Sequence, residues 1–155
     1  LVADLDAAIA ATGADPNLLE IELTESQLLD DVARASSVLA AIRDRGVKVA
    51  IDDFGTGYSS MTYLQKLPVD VVKIDRSFIS SATTNRFDST IVDTVVTIAR
   101  TLSLEVVAEG IETTEQLAYV INSGVTHGQG FLLARPVPAE EAEAVTPTAD
   151  HGVKP

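Results

Sequence analysis

The sequence has no cysteine, only two histidines, and 11 basic residues against 23 acidic ones. Without cysteine there are no disulfides, no thiolate-bound zinc and no cysteine nucleophile, which agrees with a reducing cytoplasm. His127 and His151 give no metal-ligand spacing; the first stands beside a strand start as a structural or exposed residue, and the second lies in the tail. The formal net charge of -12 argues against polymeric nucleic acid or an anionic membrane surface as a general partner, since either needs Lys and Arg to neutralise phosphate. No apolar run is long enough to cross a bilayer, and no signal peptide is visible. The expected location is the cytoplasm, with any membrane anchor upstream in a parent protein. The chain begins at Leu1 without an initiator methionine and is read as part of something longer. It shows neither internal repeats nor low-complexity segments.

What remains is a chain able to bury a core. Its 155 residues make one domain's worth, with 46% hydrophobic and 22% charged residues. Short apolar runs alternate with helical patterns. Val2 to Ala11 places Val2, Leu5 and Ile9 on one stripe, and Gly13 ends it. Leu18 to Leu23 alternates as a strand, with Leu19, Ile21 and Leu23 on one face and Glu20 and Glu22 on the other. Thr24 caps a helix over Gln27 to Arg45, closed by Gly46. Further strands are expected at Val47 to Ile51, Val69 to Ile74, Leu104 to Ala108 and Gly128 to Leu133. Helices are expected at Met61 to Gln65, Phe87 to Leu102, from Thr113 to near Ser123, and at Ala139 to Val145; a loop with one helical turn covers Arg76 to Asn85. The fold class is α/β: a parallel sheet with crossover helices, either an open doubly wound sheet or most of a barrel. The domain is placed at residues 1–145, with a frayed tail over 146–155.

The polar residues gather where such strands end. In chain order they are Glu22, Asp52 with Asp53, Lys73, Glu109 with Glu112, and Gln129. In a parallel α/β sheet these ends lie on one face, where ligands bind. Any one strand-end carboxylate is more often a helix cap or a solvated loop residue, and Lys73 alone a surface lysine. Glu20, deeper in its strand, is expected to pair with a lysine such as Lys48. Five polar strand ends in succession are harder to reach by accident. So many carboxylates together repel one another unless cations hold them. Carboxylate oxygen suits Mg²⁺, Mn²⁺ or Ca²⁺ better than zinc. Two divalent ions bridged by an aspartate would activate water for phosphoryl displacement, with Lys73 holding that water or neutralising phosphate charge.

Glu22-Leu23-Thr24-Glu25-Ser26, Asp52-Asp53-Phe54-Gly55-Thr56-Gly57-Tyr58-Ser59-Ser60, Val72-Lys73-Ile74-Asp75-Arg76-Ser77-Phe78, Ala108-Glu109-Gly110-Ile111-Glu112-Thr113 and Gln129-Gly130-Phe131 together resemble the EAL domain, the bacterial phosphodiesterase of cyclic di-GMP. The resemblance runs from about Leu1 to Ala144. It implies a TIM-like (β/α) barrel, here only about the last five strands with their helices. It implies hydrolysis of cyclic di-GMP to linear pGpG with two Mg²⁺ or Mn²⁺ ions, Ca²⁺ permitting binding but not turnover. It implies Glu22, Asp52, Asp53 and Glu109 as metal ligands, Asp52 bridging. It implies that Lys73 orients the water, that Glu112 holds the loop after Asp53, and that Gln129 lines the site. That loop and a neighbouring helix would carry a homodimer, and a sensory or cyclase domain would precede the EAL domain in the parent. The Glu-Ala-Leu motif itself and an asparagine ligand on the following strand are absent; a whole barrel runs to about 250 residues. The chain alone is therefore expected to be marginally stable and a poor catalyst. Two other readings stand beside this one: a cyclic di-GMP receptor or protein-interaction module without catalysis, and a different metal-dependent α/β phosphohydrolase.

Overall fold

The computed structural model describes residues 1–24, 32–56 and 64–142. The start of the helix expected from Gln27, the loop through Tyr58-Ser59-Ser60, most of the Met61–Gln65 helix and the tail lie outside the described residues. Helix α1 (Val2–Thr12) leads through a 3-10 turn (Pro16–Leu18) into β1 (Glu20–Thr24). Then come α2 (Val32–Arg43), β2 (Lys48–Phe54), β3 (Val71–Ile74), α3 (Arg76–Ser81) and α4 (Arg86–Thr101). The chain continues with β4 (Glu105–Ala108), α5 (Thr114–Ser123), β5 (His127–Gly128) and α6 (Ala139–Ala142).

The strands form one five-stranded sheet in the order β1-β2-β3-β4-β5, every neighbouring pair parallel. Sequential parallel strands with intervening helices are the pattern expected of an arc of a (β/α) barrel. The side chains alternate across it. Val49 and Ile51 of β2, Val72 and Ile74 of β3, and Val106 and Ala108 of β4 point into the hydrophobic cluster, with Leu39, Ile42, Ile79, Val92, Val95 and Val120 from the helices. Lys73 therefore falls on the opposite face from Val72 and Ile74.

Helix α4 shows how sequence sets this packing. Asn85 accepts a hydrogen bond from the Phe87 N–H at 2.9 Å and starts the helix. Its buried stripe is Val92, Val95, Val96 and Ala99. The expected stripe of Ile91, Val95, Ile98 and Leu102 is rotated from this; apart from the shared Val95, its residues pack half-buried at the margin of the cluster. In β1 the expected alternation holds: Leu19, Ile21 and Leu23 are partly buried, while Glu20 and Glu22 are exposed.

Two further expectations change. The last strand is two residues long instead of running from Gly128 to Leu133. After Gln129 the chain turns, with Leu133 and Ala134 N–H groups donating back to the Gly130 carbonyl at 3.0 and 3.1 Å. The apolar run Phe131-Leu132-Leu133 is a turn with exposed side chains, so its β-like composition misleads. Lys48 pairs with Glu105 at 2.9 Å rather than with Glu20, because Glu105 lies across β3 on the same end of the sheet.

Candidate metal centre

β2 carries the centre, and its backbone is irregular there. Consecutive strand residues ordinarily face opposite sides. Here the pairing with β3 slips between Ile51 and Phe54, and Asp53 takes a left-handed φ of 54°. Asp tolerates that conformation better than most residues. The bulge breaks the alternation, so Asp52 and Asp53 both turn toward the same space. Thr56 closes the bend by donating its hydroxyl to the Asp53 carbonyl at 2.8 Å.

Glu109 comes to this space from the end of β4. Asp52, Asp53 and Glu109 each offer a carboxylate oxygen, and these oxygens lie within 4.8 Å of one another. Lys73 rises from β3 with its side chain only 7% exposed. Its ammonium lies 2.6 Å from Glu22 Oε1, 3.3 Å from Asp52 Oδ1 and 2.8 Å from Glu109 Oε1. One buried cation thus touches carboxylates from three other strands or strand ends. Burial alone would lower the Lys73 pKa; hydrogen bonds to Glu109 and Glu22 and the charge of Asp52 overcome it and hold the ammonium above the usual lysine range. Asp53 is pushed upward by burial first, then by the charges of Asp52 and Asp75, against the opposing pull of Lys73.

The carboxylates still outnumber the cation. Asp52 Oδ1 is a buried acceptor with no hydrogen-bond partner among the described residues; Lys73 reaches it as an ion pair without hydrogen-bond geometry. A buried orphan oxygen inside a cluster of three carboxylates has the chemistry of a hard divalent-cation ligand. The residues present therefore fit Mg²⁺ or Mn²⁺.

Gln129 joins from the end of β5, donating Nε2 to Glu109 Oε1 at 2.8 Å. Two glycines make that approach feasible. A Cβ on Gly130 would stand 2.2 Å from the Ile111 nitrogen and oxygen, and one on Gly128 2.6 Å from Ile111 Cδ1. The backbone locks there: Gln129 N–H donates to the Ala108 carbonyl and Ile111 N–H to the Gln129 carbonyl, at 2.9 and 3.0 Å. Glu112 stands further out, on a recess of about 400 Å³ that it shares with Arg76, Glu109, Gln129 and Phe131. Its position is fixed by the start of α5. The buried Gln116 Oε1 accepts from the Glu112 and Thr113 N–H groups at 2.7 and 3.0 Å, within a Thr113–Gln116 capping box.

These contacts bring Glu22, Asp52, Asp53, Lys73, Glu109 and Gln129 to one end of the sheet. Glu112 borders the recess, and the loop it was expected to hold lies outside the described residues. Asp75 serves as the cap of α3, accepting from the Ser77 N–H at 3.0 Å, and adds its charge to Asp53. Arg76 and Phe131, which carried no assigned role, line the recess, and Arg135 stacks on the Phe131 ring with its guanidinium 4.7 Å from the centroid. Only the exposed, apolar character of Phe131 beside Gly130 could have signalled this.

Comparison with known proteins agrees with the geometry. The family model described as "EAL domain" matches residues 1–136. The bifunctional diguanylate cyclase/cyclic di-GMP phosphodiesterase MucR of Pseudomonas aeruginosa is 42% identical over 141 residues, which is 91% of this chain and 21% of MucR. A solved c-di-GMP complex of the PaMucR phosphodiesterase superposes with a TM-score of 0.88 at 42% identity, over 92% of this chain and 57% of that one. Klebsiella pneumoniae BlrP1, solved as a manganese/cyclic di-GMP complex, gives a TM-score of 0.81 at 36% identity, over 87% of this chain and 34% of that one. This chain thus spans about a fifth of the length of its curated relative.

Proposed function

Because the chain belongs to the EAL domain family, whose fold is a TIM-like barrel, we propose that it supplies the metal-binding side of a cyclic di-GMP phosphodiesterase that releases linear pGpG. The observation that carries this reading is the cluster of Asp52, Asp53 and Glu109 around the unpartnered Asp52 Oδ1, with Lys73 beside it. Glu22, Asp52, Asp53 and Glu109 would hold two Mg²⁺ or Mn²⁺ ions. When bound, such ions lower the pKa of water and stabilise negative charge on the oxygens of an in-line phosphoryl displacement.

The chain's own residues do the rest. Lys73 places a fixed positive charge where a water oxygen attacks phosphorus, and orients that water by donation. Gln129, fixed by its bond to Glu109, faces the same space and would donate to the water or to a phosphate oxygen. Glu112, which borders the recess, would brace the loop after Asp53 in this reading. Water adds across one phosphodiester P–O bond; the bridging oxygen leaves with a proton, and the ring opens. That loop and its adjoining helix form the homodimer contact in this reading. The activity is proposed for a polypeptide that carries these residues in a longer EAL domain; in this reading the 155 residues alone would turn over slowly.

Incubation of that longer polypeptide with cyclic di-GMP and Mn²⁺, followed by chromatography, tests the reading. The expected product is pGpG, with Ca²⁺ supporting binding but no turnover. Nucleotide binding without hydrolysis in Mn²⁺ would assign the domain to receptors. Equal hydrolysis of unrelated phosphodiesters would assign it to another class of phosphohydrolase.

A further inference from the structure

Lys73 does more in this geometry than face a substrate. It is the sole cation recorded in contact with Glu22, Asp52 and Glu109 among the described residues, and it touches all three at 3.3 Å or less. Two of those three, Asp52 and Glu109, also belong to the carboxylate cluster that fits a divalent ion. The ammonium and such an ion would therefore draw on the same two carboxylates.

We propose that Lys73 is the built-in counter-ion of the centre: it keeps the carboxylates of β1, β2 and β4 together when no divalent ion is bound, and lowers the affinity for the ion by competing for Asp52 and Glu109. The physical case has two parts. Four carboxylates lie in or beside a partly buried space, and without a cation their mutual repulsion and lost hydration oppose folding. Lys73 supplies that cation from within the chain, on the middle strand of the sheet, where it reaches both flanks. The same fixed charge repels an incoming divalent ion at short range, where Coulomb energies are large even when partly screened. The site is thus assembled in advance, at a cost in metal affinity. This inference rests on the metal-centre reading above and adds to it a role in assembly, apart from Lys73 acting on water.

The test uses the longer EAL polypeptide named above, as parent and as Lys73→Met, with Mn²⁺ as the probe. Thermal melting is followed in chelator and in Mn²⁺, and Mn²⁺ affinity is measured by the EPR signal of the free ion. In chelator Lys73→Met is expected to melt about 10 °C lower, the scale of breaking a buried ion pair in a chain of this size. Its Mn²⁺ affinity is expected to rise about tenfold or more, since one repelling unit charge at contact distance is gone. A purely structural lysine gives the first result without the second, because a loosened site binds more weakly. If Lys73→Met does not fold in chelator, Lys73→Met with Glu22→Gln is the second variant; removing a carboxylate as well should restore much of the lost stability. Unchanged or weaker Mn²⁺ binding by Lys73→Met, or no recovery in the double variant, overturns the inference alone. Failure of the parent chain to bind Mn²⁺ overturns the metal-centre reading and this inference with it.

Discussion

Replacing Gly130 by alanine tests whether the β4–β5 lock sets the metal centre. The added Cβ would lie 2.2 Å from both the nitrogen and the oxygen of Ile111. Neither atom can yield cheaply. Ile111 N–H is bonded to the Gln129 carbonyl at 3.0 Å, and its own carbonyl accepts from Leu132 N–H at 3.0 Å. The backbone must move, so the cost sits at the upper end of the overpacking range, roughly 3 kcal/mol. For a chain of this size that corresponds to a melting temperature lower by about 10 °C. The displacement also reaches the centre, because Gln129 precedes the substitution and holds Glu109 at 2.8 Å. Mn²⁺ affinity is expected to fall by about tenfold, since small misplacements of ligands are costly. Gly13→Ala is the comparison: no atom lies within 4 Å of its Cβ, and the only penalty is its left-handed φ of 68°, about 1–2 kcal/mol. Calorimetry and Mn²⁺ titration decide. A Gly130→Ala chain that melts within about 2 °C of the parent and binds Mn²⁺ equally well would refute the lock.

Other perturbations separate kinds of stabilisation. Ile74→Ala removes a side chain with no exposed surface and should cost about 2–5 kcal/mol in urea unfolding. Asp70→Ala should cost about 1–3 kcal/mol, because Asp70 accepts from both the Val49 N–H and Arg43. Lys48→Ala, whose pair with Glu105 is nearly half exposed on both sides, should cost less than about 1 kcal/mol. Burial first, and then the neighbouring Asp93, raise the Tyr119 phenol above its ordinary value of 10.0. A raised folded-state pKa gives stability that is complete below the unfolded value and lost as pH rises through the folded one. Stability should therefore decline above about pH 10, and Tyr119→Phe should remove part of that decline in alkaline melts.

The fold was legible where the pattern of apolar residues is short and regular. Glu20 to Leu23 alternates so cleanly that its two faces are right to the residue, and the Gly13 stop is visible as a C-cap. The site was legible because its polar residues stand at strand ends, and a parallel sheet gathers those ends by geometry. What could not be read came from tertiary contact. Nothing local announces that β2 bulges at Asp53 and so turns two adjacent carboxylates inward. Nothing in Phe131-Leu132-Leu133 distinguishes a turn from a strand; the difference arises from the approach of Gly130 to the Ile111 backbone. The choice of Glu105 over Glu20 as partner of Lys48 depends on cross-strand register, which a single strand does not contain. The deeper stripe of α4 likewise reflects how the helix is rolled onto the sheet rather than its own periodicity.

The central claim is that the strand-end carboxylates form a divalent-metal centre. An anomalous difference map at the manganese absorption edge, from crystals grown with Mn²⁺, tests it most directly. The account predicts anomalous density bounded by Asp52, Asp53 and Glu109, with Asp52 Oδ1 as a ligand. It is contradicted if Mn²⁺ is present in the crystal but this space shows no anomalous density while Lys73 keeps its three carboxylate contacts.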